Sequence, residues 1–211
     1  MQRPLRFVAL GDSYTIGTSV GEAERWPNLL VARLGLGALE LVANLAVNGF
    51  TSRDVIEVEL PQLAALRPEF LSLLVGVNDV VQGVPAGTFA ANAGAILDRL
   101  LAFVPPTRVL TVATPDYTVT PRGAAFGDPA RQRAGIRANN AALRALAAER
   151  DVPFVDIFDI STEAAADRSL VARDGLHPSG LQYARWVDRI EPVVRQALAV
   201  AVQSQRDETA G

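Results

Sequence analysis

Residues 5–10 read LRFVAL and run directly into Gly11-Asp12-Ser13. The run is mostly apolar and does not alternate with polar residues, which is typical of a strand buried on both faces of a parallel sheet. Ligands of such sheets bind beyond the carboxyl ends of the strands. This stretch therefore predicts a buried first strand with a serine at the edge of the sheet where ligands bind.

Four further β-rich runs follow, and helical segments rich in alanine, leucine and arginine alternate with them. The predicted strands are 5–10, 39–45, 70–75, 108–113 and 154–158, and the predicted helices are 24–34, 53–66, 87–103, 129–150 and 179–202. This alternation predicts an α/β fold, a three-layer α/β/α sandwich around a five-stranded parallel sheet in a flavodoxin-like order. Pro61 and Pro192 fall inside two of the helices and predict a kink or break in each.

The 211 residues contain no repeat and no long linker. We expect one domain over 1–202, followed by a flexible tail at 203–211. No apolar stretch approaches the ~18 residues of a membrane span. The first residues show no separate apolar segment with a cleavage site, which favours a cytoplasmic protein. The sequence leaves the oligomeric state open.

The composition excludes several kinds of chemistry. The chain has no cysteine and no lysine, and His177 is its one histidine. These absences exclude a thiol nucleophile, a disulfide framework, a zinc–thiolate site, a Schiff-base lysine, a P-loop lysine and a metal site built on several histidines. The net charge of −3 and the lack of a basic stripe argue against nucleic acid as a partner. Acid–base catalysis near neutral pH would fall to His177.

Polar motifs follow several of the predicted strands. Gly11-Asp12-Ser13 follows the first strand, Asn48-Gly49 the second and Gly76-Val77-Asn78-Asp79 the third, while Asp174-Gly175-Leu176-His177 lies beyond the fifth. Because the carboxyl ends of parallel strands meet at one edge of the sheet, we expect these four loops to lie together.

Each motif has a catalytic and a purely structural interpretation. Ser13 can be a nucleophile or a helix-capping serine, and His177 can be its base or a residue at the start of the last helix. Asp174 can hold the imidazole in one tautomer or lie in an exposed turn. The N–H groups of Ser13 and Gly49 and the amide of Asn78 can stabilise an oxyanion, although the last two residues also fit ordinary turns.

Taken together, the four motifs resemble those of the SGNH hydrolases, also called the GDSL lipase/esterase family. Ser13, Gly49, Asn78 and His177 match the four blocks in family order, and Tyr14 stands where the family nickname has leucine. The resemblance implies a serine hydrolase that cleaves esters or thioesters through an acyl-enzyme, with Asp174 as the partner of His177. It implies no cofactor and no metal, and it leaves open whether the substrate is a lipid, thioester, aryl ester or acetylated sugar.

Candidates for substrate binding follow the blocks directly: Tyr14, Phe50, Val80 and Val81. The segment 115–134, which contains Tyr117 and Phe126, starts without a clear strand or helix. It can be a substrate-facing loop or lid, in which Tyr117 is a further candidate, or a plain surface connection.

Three alternatives compete with this interpretation. The stretch Gly17-Thr18-Ser19-Val20-Gly21 fits the Gly-x-Ser-x-Gly nucleophile elbow, but no predicted strand ends directly before it, so we expect Ser19 in a loop. A metal-dependent hydrolase could use Asp12, Asp79, Asp174 and His177 as ligands. A non-catalytic domain could keep the fold and bind carbohydrate or protein. We expect Asp12 and Asp79 to hold the geometry of their loops.

Overall fold

A five-stranded parallel sheet forms the centre of the molecule. The computed structural model describes residues 3–209, and side chains within residues 3–199. The strands are β1 (Leu5–Gly11), β2 (Leu39–Asn44), β3 (Phe70–Leu74), β4 (Val109–Val112) and β5 (Phe154–Val155). They lie in the order β2-β1-β3-β4-β5, and each neighbouring pair is parallel. The predicted flavodoxin-like order and three-layer fold are therefore confirmed.

The side chains of β1 enter the core on both faces of the sheet. Phe7 and Ala9 belong to one hydrophobic cluster, Val8 and Leu10 belong to the other, and all four are fully buried. Burying a large aliphatic or aromatic side chain stabilises the fold by about 1.5–3 kcal/mol. A strand covered on both sides has no polar face, which explains why the LRFVAL run does not alternate.

Helices cover the two faces of the sheet. They are α1 (Ser13–Ile16), α2 (Trp26–Leu34), α3 (Ser52–Asp54), α4 (Leu63–Leu66), α5 (Val77–Val81), α6 (Ala86–Leu101), α7 (Pro129–Ala148), α8 (Phe158–Thr162) and α9 (Gly180–Thr209). On one face α2 packs against α9, with Trp26 and Trp186 buried in the cluster. On the other face α6 packs against α7, with Phe89 and Leu143 buried. Within the described residues, no helix is long and apolar enough to cross a membrane.

The two internal prolines have different effects. The predicted helix at 53–66 is broken, because a π-helical turn (Val55–Glu59) and a 3-10 turn containing Pro61 (Leu60–Gln62) separate α3 from α4. In contrast, α9 continues through Pro192, so of the kink or break predicted there the break is wrong. Ile190 and Val194 on either side of Pro192 are buried in the core, and this packing offsets the hydrogen bond that proline removes.

The last strand and the C-terminal tail are two predicted features of the later part of the chain. The predicted strand at 154–158 is only two residues long, because Phe158 already begins α8. The flexible tail expected at 203–211 falls where side chains lie outside the description, and residues 210 and 211 lie outside the described residues altogether. The tail and the single domain over 1–202 therefore stay predictions.

Candidate active site

Ser13 lies where β1 turns into α1. Gly11 ends the strand at a φ of +143°, and a β-carbon there would clash with the carbonyl oxygen of Leu74 in the neighbouring strand. Asp12 then caps α1, since its carboxyl Oδ1 accepts the N–H of Tyr14 at 3.0 Å. Ser13 is the first residue of α1, and an N–H at this position has no intrahelical acceptor. The turn therefore presents both the hydroxyl and the free N–H of Ser13 at the sheet edge.

His177 is held by Asp174 from the same loop. Nδ1 of His177 lies 2.5 Å from Oδ2 of Asp174. The other carboxyl oxygen, Oδ1, accepts the backbone N–H groups of Leu176 at 2.9 Å and His177 at 3.0 Å. Partial burial opposes ionisation, but hydrogen bonds from His177, from Ser19 and from the loop backbone outweigh it and hold the pKa of Asp174 below its usual range. Asp174 is thus an anion that orients the imidazole through Nδ1 and leaves Nε2 free.

The loop that carries this pair is closed at both ends. Val171 pairs with Pro178 in an antiparallel bridge, and the N–H of Ala172 donates to the carbonyl of His177 at 2.8 Å. At the tip, Gly175 adopts a φ of +73° and its carbonyl accepts the N–H of Arg122 at 3.0 Å. The loop is therefore fixed both by its own hairpin-like bonds and by the segment that follows β4.

Gly49 lies on the loop after β2, and Asn78 lies in the first turn of α5, directly after the loop that follows β3. Gly49 has a φ of +88°, a left-handed conformation that favours glycine. The Asn78 amide donates one N–H to the carbonyl of Phe50 at 2.9 Å, which fixes the orientation of the amide. Asparagine has two such N–H groups, so the second remains for a ligand. Within residues 3–209, the N–H groups of Ser13 and Gly49 have no hydrogen-bond acceptor.

Asp79 ties these two loops to each other. Its carboxyl group accepts the N–H of Ser52 at 2.9 Å and the hydroxyl of the same serine at 2.5 Å. Asn92 of α6 donates to that hydroxyl at 2.9 Å. Burial raises the pKa of Asp79, and the bonds from Ser52 oppose the rise. As expected for Asp12 and Asp79, both carboxyl groups are used to hold loops.

One cavity brings most of the predicted residues together. It has a volume of about 290 Å³ and is lined by Ser13, Tyr14, Asn48, Gly49, Val77, Asn78, Val81, Tyr117, Phe126, Leu176 and His177. Asp174 lies behind His177 and does not line the cavity. Asn48, Val77, Phe126 and Leu176 line the cavity but were not among the predicted site residues. The signal for the first two, and for Leu176, was their position beside a motif residue.

Phe50 and Val80 do not line the cavity, although both were substrate-binding candidates. Phe50 contributes its backbone carbonyl, which accepts the Asn78 amide. Val80 packs against Gly135 of α7, where a β-carbon would lie only 2.8 Å from Cγ1 of the valine. Val80 and Val81 are successive residues of the helix α5, so their side chains point about 100° apart and only Val81 faces the cavity.

The segment 115–134 forms one wall of the cavity. It contains two 3-10 helices, Tyr117–Val119 and Gly123–Phe126, before α7 begins. The rings of Tyr117 and Phe126 meet edge to face with 5.7 Å between centroids. The buried carboxyl of Asp116 accepts from Thr118 at 2.9 Å and pairs with Arg133 of α7 at 2.7 Å. The segment is therefore an ordered wall that places two aromatic side chains beside the catalytic candidates.

The Tyr14 ring lies next to the imidazole of His177, with 5.8 Å between ring centroids. The hydrogen bonds of the described residues include none between Ser13 and His177. Catalytic hydrogen bonds are often long in ligand-free enzymes and shorten in the substrate complex. Both side chains are largely buried and face the same cavity, so a substrate carbonyl there would meet both.

Two buried carboxyl groups lie below Ser13. Glu59 accepts the N–H of Gly11 at 2.9 Å, and Asp12 caps α1. Burial is the main cause that raises the pKa of Asp12 to about 8 and that of Glu59 to about 9. The charge of Asp79 raises the pKa of Asp12 further, and the charge of Asp12 raises that of Glu59. Oδ2 of Asp12 and Oε1 of Glu59 are buried without a hydrogen-bond partner. No sequence pattern singled out Glu59.

A model of the GDSL-like lipase/acylhydrolase family matches residues 9–185, a range that begins in β1 and ends just after His177. The chain belongs to the GDSL-like lipase/acylhydrolase family. Membership makes the protein an ester hydrolase of the SGNH type, as the four motifs implied.

Solved structures share the fold of this family member. The crystal structure of TesA is 19% identical, covers 91% of this chain and 99% of its own, and has a TM-score of 0.69. A member of the lipolytic protein G-D-S-L family from Veillonella parvula DSM 2008 is 18% identical, covers 87% of this chain and 94% of its own, and has a TM-score of 0.70. Axe2-W215I, an acetyl xylan esterase from Geobacillus stearothermophilus, is 16% identical, covers 92% of this chain and 96% of its own, and has a TM-score of 0.68. A search of curated protein sequences found no match.

Ser19 does not lie at the end of a strand in this family member. It lies in a loop two residues after Gly17, the residue that caps α1, and eight residues after the end of β1, and its φ is +71°. The structure therefore supports the expectation that its Gly-x-Ser-x-Gly stretch is not an elbow. Among the residues that the structure describes, no group of three or more histidine, cysteine, aspartate or glutamate side chains is arranged to hold a metal ion.

Proposed function

We propose that the protein cleaves carboxylic esters or thioesters through Ser13, His177 and Asp174, by way of an acyl-enzyme. One observation carries this proposal. Ser13 and His177 line the same cavity, while Asp174 lies behind the imidazole with its Oδ2 2.5 Å from Nδ1. This is the relation of nucleophile, base and orienting acid that acyl transfer requires.

Ester cleavage begins with attack of Oγ of Ser13 on the acyl carbonyl carbon. Nε2 of His177 takes the hydroxyl proton, and the resulting imidazolium is stabilised by the anionic Asp174. The tetrahedral intermediate collapses when the C–O or C–S bond to the leaving group breaks, and His177 returns the proton to that group. Water then repeats the sequence on the acyl-enzyme and restores Ser13.

The negative charge that develops on the carbonyl oxygen is stabilised by three donors. The N–H groups of Ser13 and Gly49 have no acceptor among the described residues, and Asn78 keeps one amide N–H free. Loss of one such donor typically costs about 2.7–4 kcal/mol of transition-state stabilisation. These groups are held by loop backbone and by the bond to Phe50, so little rearrangement accompanies the reaction.

The cavity favours a compact apolar acyl group. Six of its lining side chains are aromatic or aliphatic: Tyr14, Val77, Val81, Tyr117, Phe126 and Leu176. A volume of about 290 Å³ is near the lower end of the range for small-molecule sites. Axe2 is an acetyl xylan esterase, so acetylated sugars are the second substrate class to test. A chain-length series of p-nitrophenyl esters beside acetylated xylan compares the two.

Covalent labelling tests the proposed chemistry without knowledge of the substrate. A fluorophosphonate reacts with an activated serine, and we expect peptide mass spectrometry to place one adduct on Ser13. Ser13→Ala serves as the matched control and should remain unlabelled. Folded protein that takes up no label would instead favour a non-catalytic binding domain. Labelling at Ser19 would overturn the assignment of the nucleophile.

A further inference from the structure

The loop that begins with the nucleophile folds back onto itself. The carbonyl of Ser13 accepts the N–H groups of Gly17 at 3.1 Å and Thr18 at 3.0 Å. Gly17 ends α1 in the left-handed conformation, and a β-carbon there would clash with the side chain of Arg25. This closure brings Ser19 beside Asp174, although 155 residues separate them in the chain.

Ser19 donates its hydroxyl to the catalytic carboxylate. Its Oγ lies 2.7 Å from Oδ2 of Asp174, and this is the same oxygen that faces Nδ1 of His177. The two donors approach Oδ2 from the side chains of different loops, while Oδ1 is occupied by backbone N–H groups. Among the described residues, Ser19 and His177 are thus the only ones whose side chains form a hydrogen bond with Asp174.

The backbone of Ser19 is held in an unfavourable conformation. Its φ of +71° lies in the left-handed region, which is unfavourable for a residue other than glycine. Ser19 is exposed, so core packing does not account for a side chain at this position. Strain of this kind persists where the surrounding structure imposes it, and it is concentrated at functional sites.

We propose that Ser19 is a positioning residue for the catalytic pair. Its hydroxyl holds Oδ2 of Asp174 in the orientation that receives Nδ1–H of His177, and it links the loop of the nucleophile to the loop of the base. The inference rests on the proposed function of Ser13, His177 and Asp174. Ser19 itself does not touch the reacting atoms.

Loss of the hydroxyl should therefore affect turnover more than substrate binding. A hydrogen bond to a charged group contributes more than one between neutral groups, but part of the orientation of Asp174 remains because the imidazole and the backbone still hold the carboxylate. We expect kcat to fall about tenfold in Ser19→Gly and Ser19→Ala, with KM changed less than twofold.

A set of substitutions separates the hydroxyl from the backbone. Ser19→Gly removes the hydroxyl and the strain together, so we expect a thermal unfolding midpoint close to the parent's but low kcat. Ser19→Thr keeps the hydroxyl and adds a β-branch where φ is positive, so we expect a lower midpoint but kcat within about threefold of the parent. Ser19→Gly would thus lose turnover without losing stability, and Ser19→Thr would lose stability without losing turnover. A serine with a merely structural role would not give this pair of results.

Two further variants complete the test. Ser169→Ala removes another exposed serine-to-aspartate hydrogen bond, of 2.6 Å to Asp167, away from the cavity, and kcat should not change. Ser13→Ala reports on the proposed function itself. If Ser13→Ala is inactive while Ser19→Gly and Ser19→Ala keep parental kcat, the role of Ser19 is overturned and the nucleophile stands. If Ser13→Ala stays active, the proposed function fails first.

Discussion

At the scale of single residues, the two oxygens of Asp174 have different tasks. Oδ1 accepts backbone N–H groups of its own loop, and Oδ2 accepts from the side chains of His177 and Ser19. Four donors saturate the acceptor sites of a carboxylate. The carboxylate is therefore fixed to the backbone on one side and oriented toward the imidazole on the other, which limits the motion of His177, the proposed general base.

The amide of Asn78 provides a test of oxyanion stabilisation. In Asn78→Ala both amide N–H groups are lost, and we expect kcat to fall about 10²–10³-fold with little change in KM. Steady-state kinetics on a p-nitrophenyl ester measures both constants. The change acts on the transition state because the oxyanion does not exist in the bound substrate.

Gln82→Ala is a matched control for Asn78→Ala. Gln82 also donates a side-chain amide to a nearby carbonyl, that of Gly49 at 3.3 Å, but it does not line the cavity. We expect its kcat within about threefold of the parent. Equal losses in the two variants would mean that Asn78 acts only through the shape of the loop.

Individual site residues differ in how far the sequence could predict them. Ser13, Gly49, Asn78 and His177 follow strands or stand in short motifs, so position along the chain was enough to single them out. Contacts such as Ser19 to Asp174 join residues far apart in sequence, and no local pattern contains them. Val80 was misplaced because a candidate chosen by adjacency ignores the 100° rotation between neighbours in a helix.

At the scale of elements, the segment 115–134 shapes the site. Its 3-10 helices place Tyr117 and Phe126 on the wall of the cavity, and the N–H of Arg122 donates to Gly175 in the loop of His177. The wall and the loop of the base are therefore held together. A change in this segment can alter both the size of the cavity and the position of the imidazole.

Phe126→Ala tests whether this wall limits the acyl group. Removal of the ring enlarges the cavity, and each added methylene that fits is worth about 1–3 kcal/mol. We expect the ratio of kcat/KM for p-nitrophenyl octanoate to that for the acetate to rise about tenfold. The control is Phe103→Ala, because Phe103 is partly exposed and lies outside the cavity. An unchanged ratio in Phe126→Ala would contradict the proposed wall.

Elements were easier to predict than the details of their ends. Strands buried on both faces gave long apolar runs, so the order of strands and helices followed from the pattern. Whether a helix breaks at an internal proline, as at Pro61, or continues through it, as at Pro192, depends on tertiary packing. The sequence alone could not distinguish the two cases. The 3-10 helices of 115–134 are held by contacts such as that of Asp116 with Arg133, which no periodicity reveals.

At the scale of the whole molecule, the buried carboxyl groups of Asp12 and Glu59 make stability depend on pH. Glu59 has a pKa of about 9, against an ordinary value of 4.5. The unfolded chain releases this proton near pH 4.5, whereas the folded protein holds it to about pH 9. The contribution of Glu59 to stability is therefore full below pH 4.5 and falls as the pH rises toward 9. Asp12, with a pKa of about 8, acts in the same direction.

Glu59→Gln should reduce this loss, since glutamine can still accept the N–H of Gly11 but does not ionise. One pKa unit corresponds to about 1.4 kcal/mol, and 1 kcal/mol moves Tm by about 2–4 °C in a domain of this size. We expect a gain in Tm of at least about 5 °C at pH 9 and almost none at pH 4, by thermal unfolding. Glu57→Gln, at an exposed neighbour, should show no such pH-dependent gain, and a gain independent of pH in Glu59→Gln would refute the assignment.

The segments after β1, β2 and β3 and the loop before α9 meet at one edge of the sheet, so the fold of the whole molecule places the individual site residues together. Family membership agrees with that arrangement, and the proposed chemistry rests on Ser13. The most direct test is the turnover of Ser13→Ala on a reactive p-nitrophenyl ester, with circular dichroism and Tm to verify the fold. We predict a folded variant whose kcat is lower by at least about 10³-fold. A folded Ser13→Ala that retains a tenth or more of the parental kcat would contradict the account.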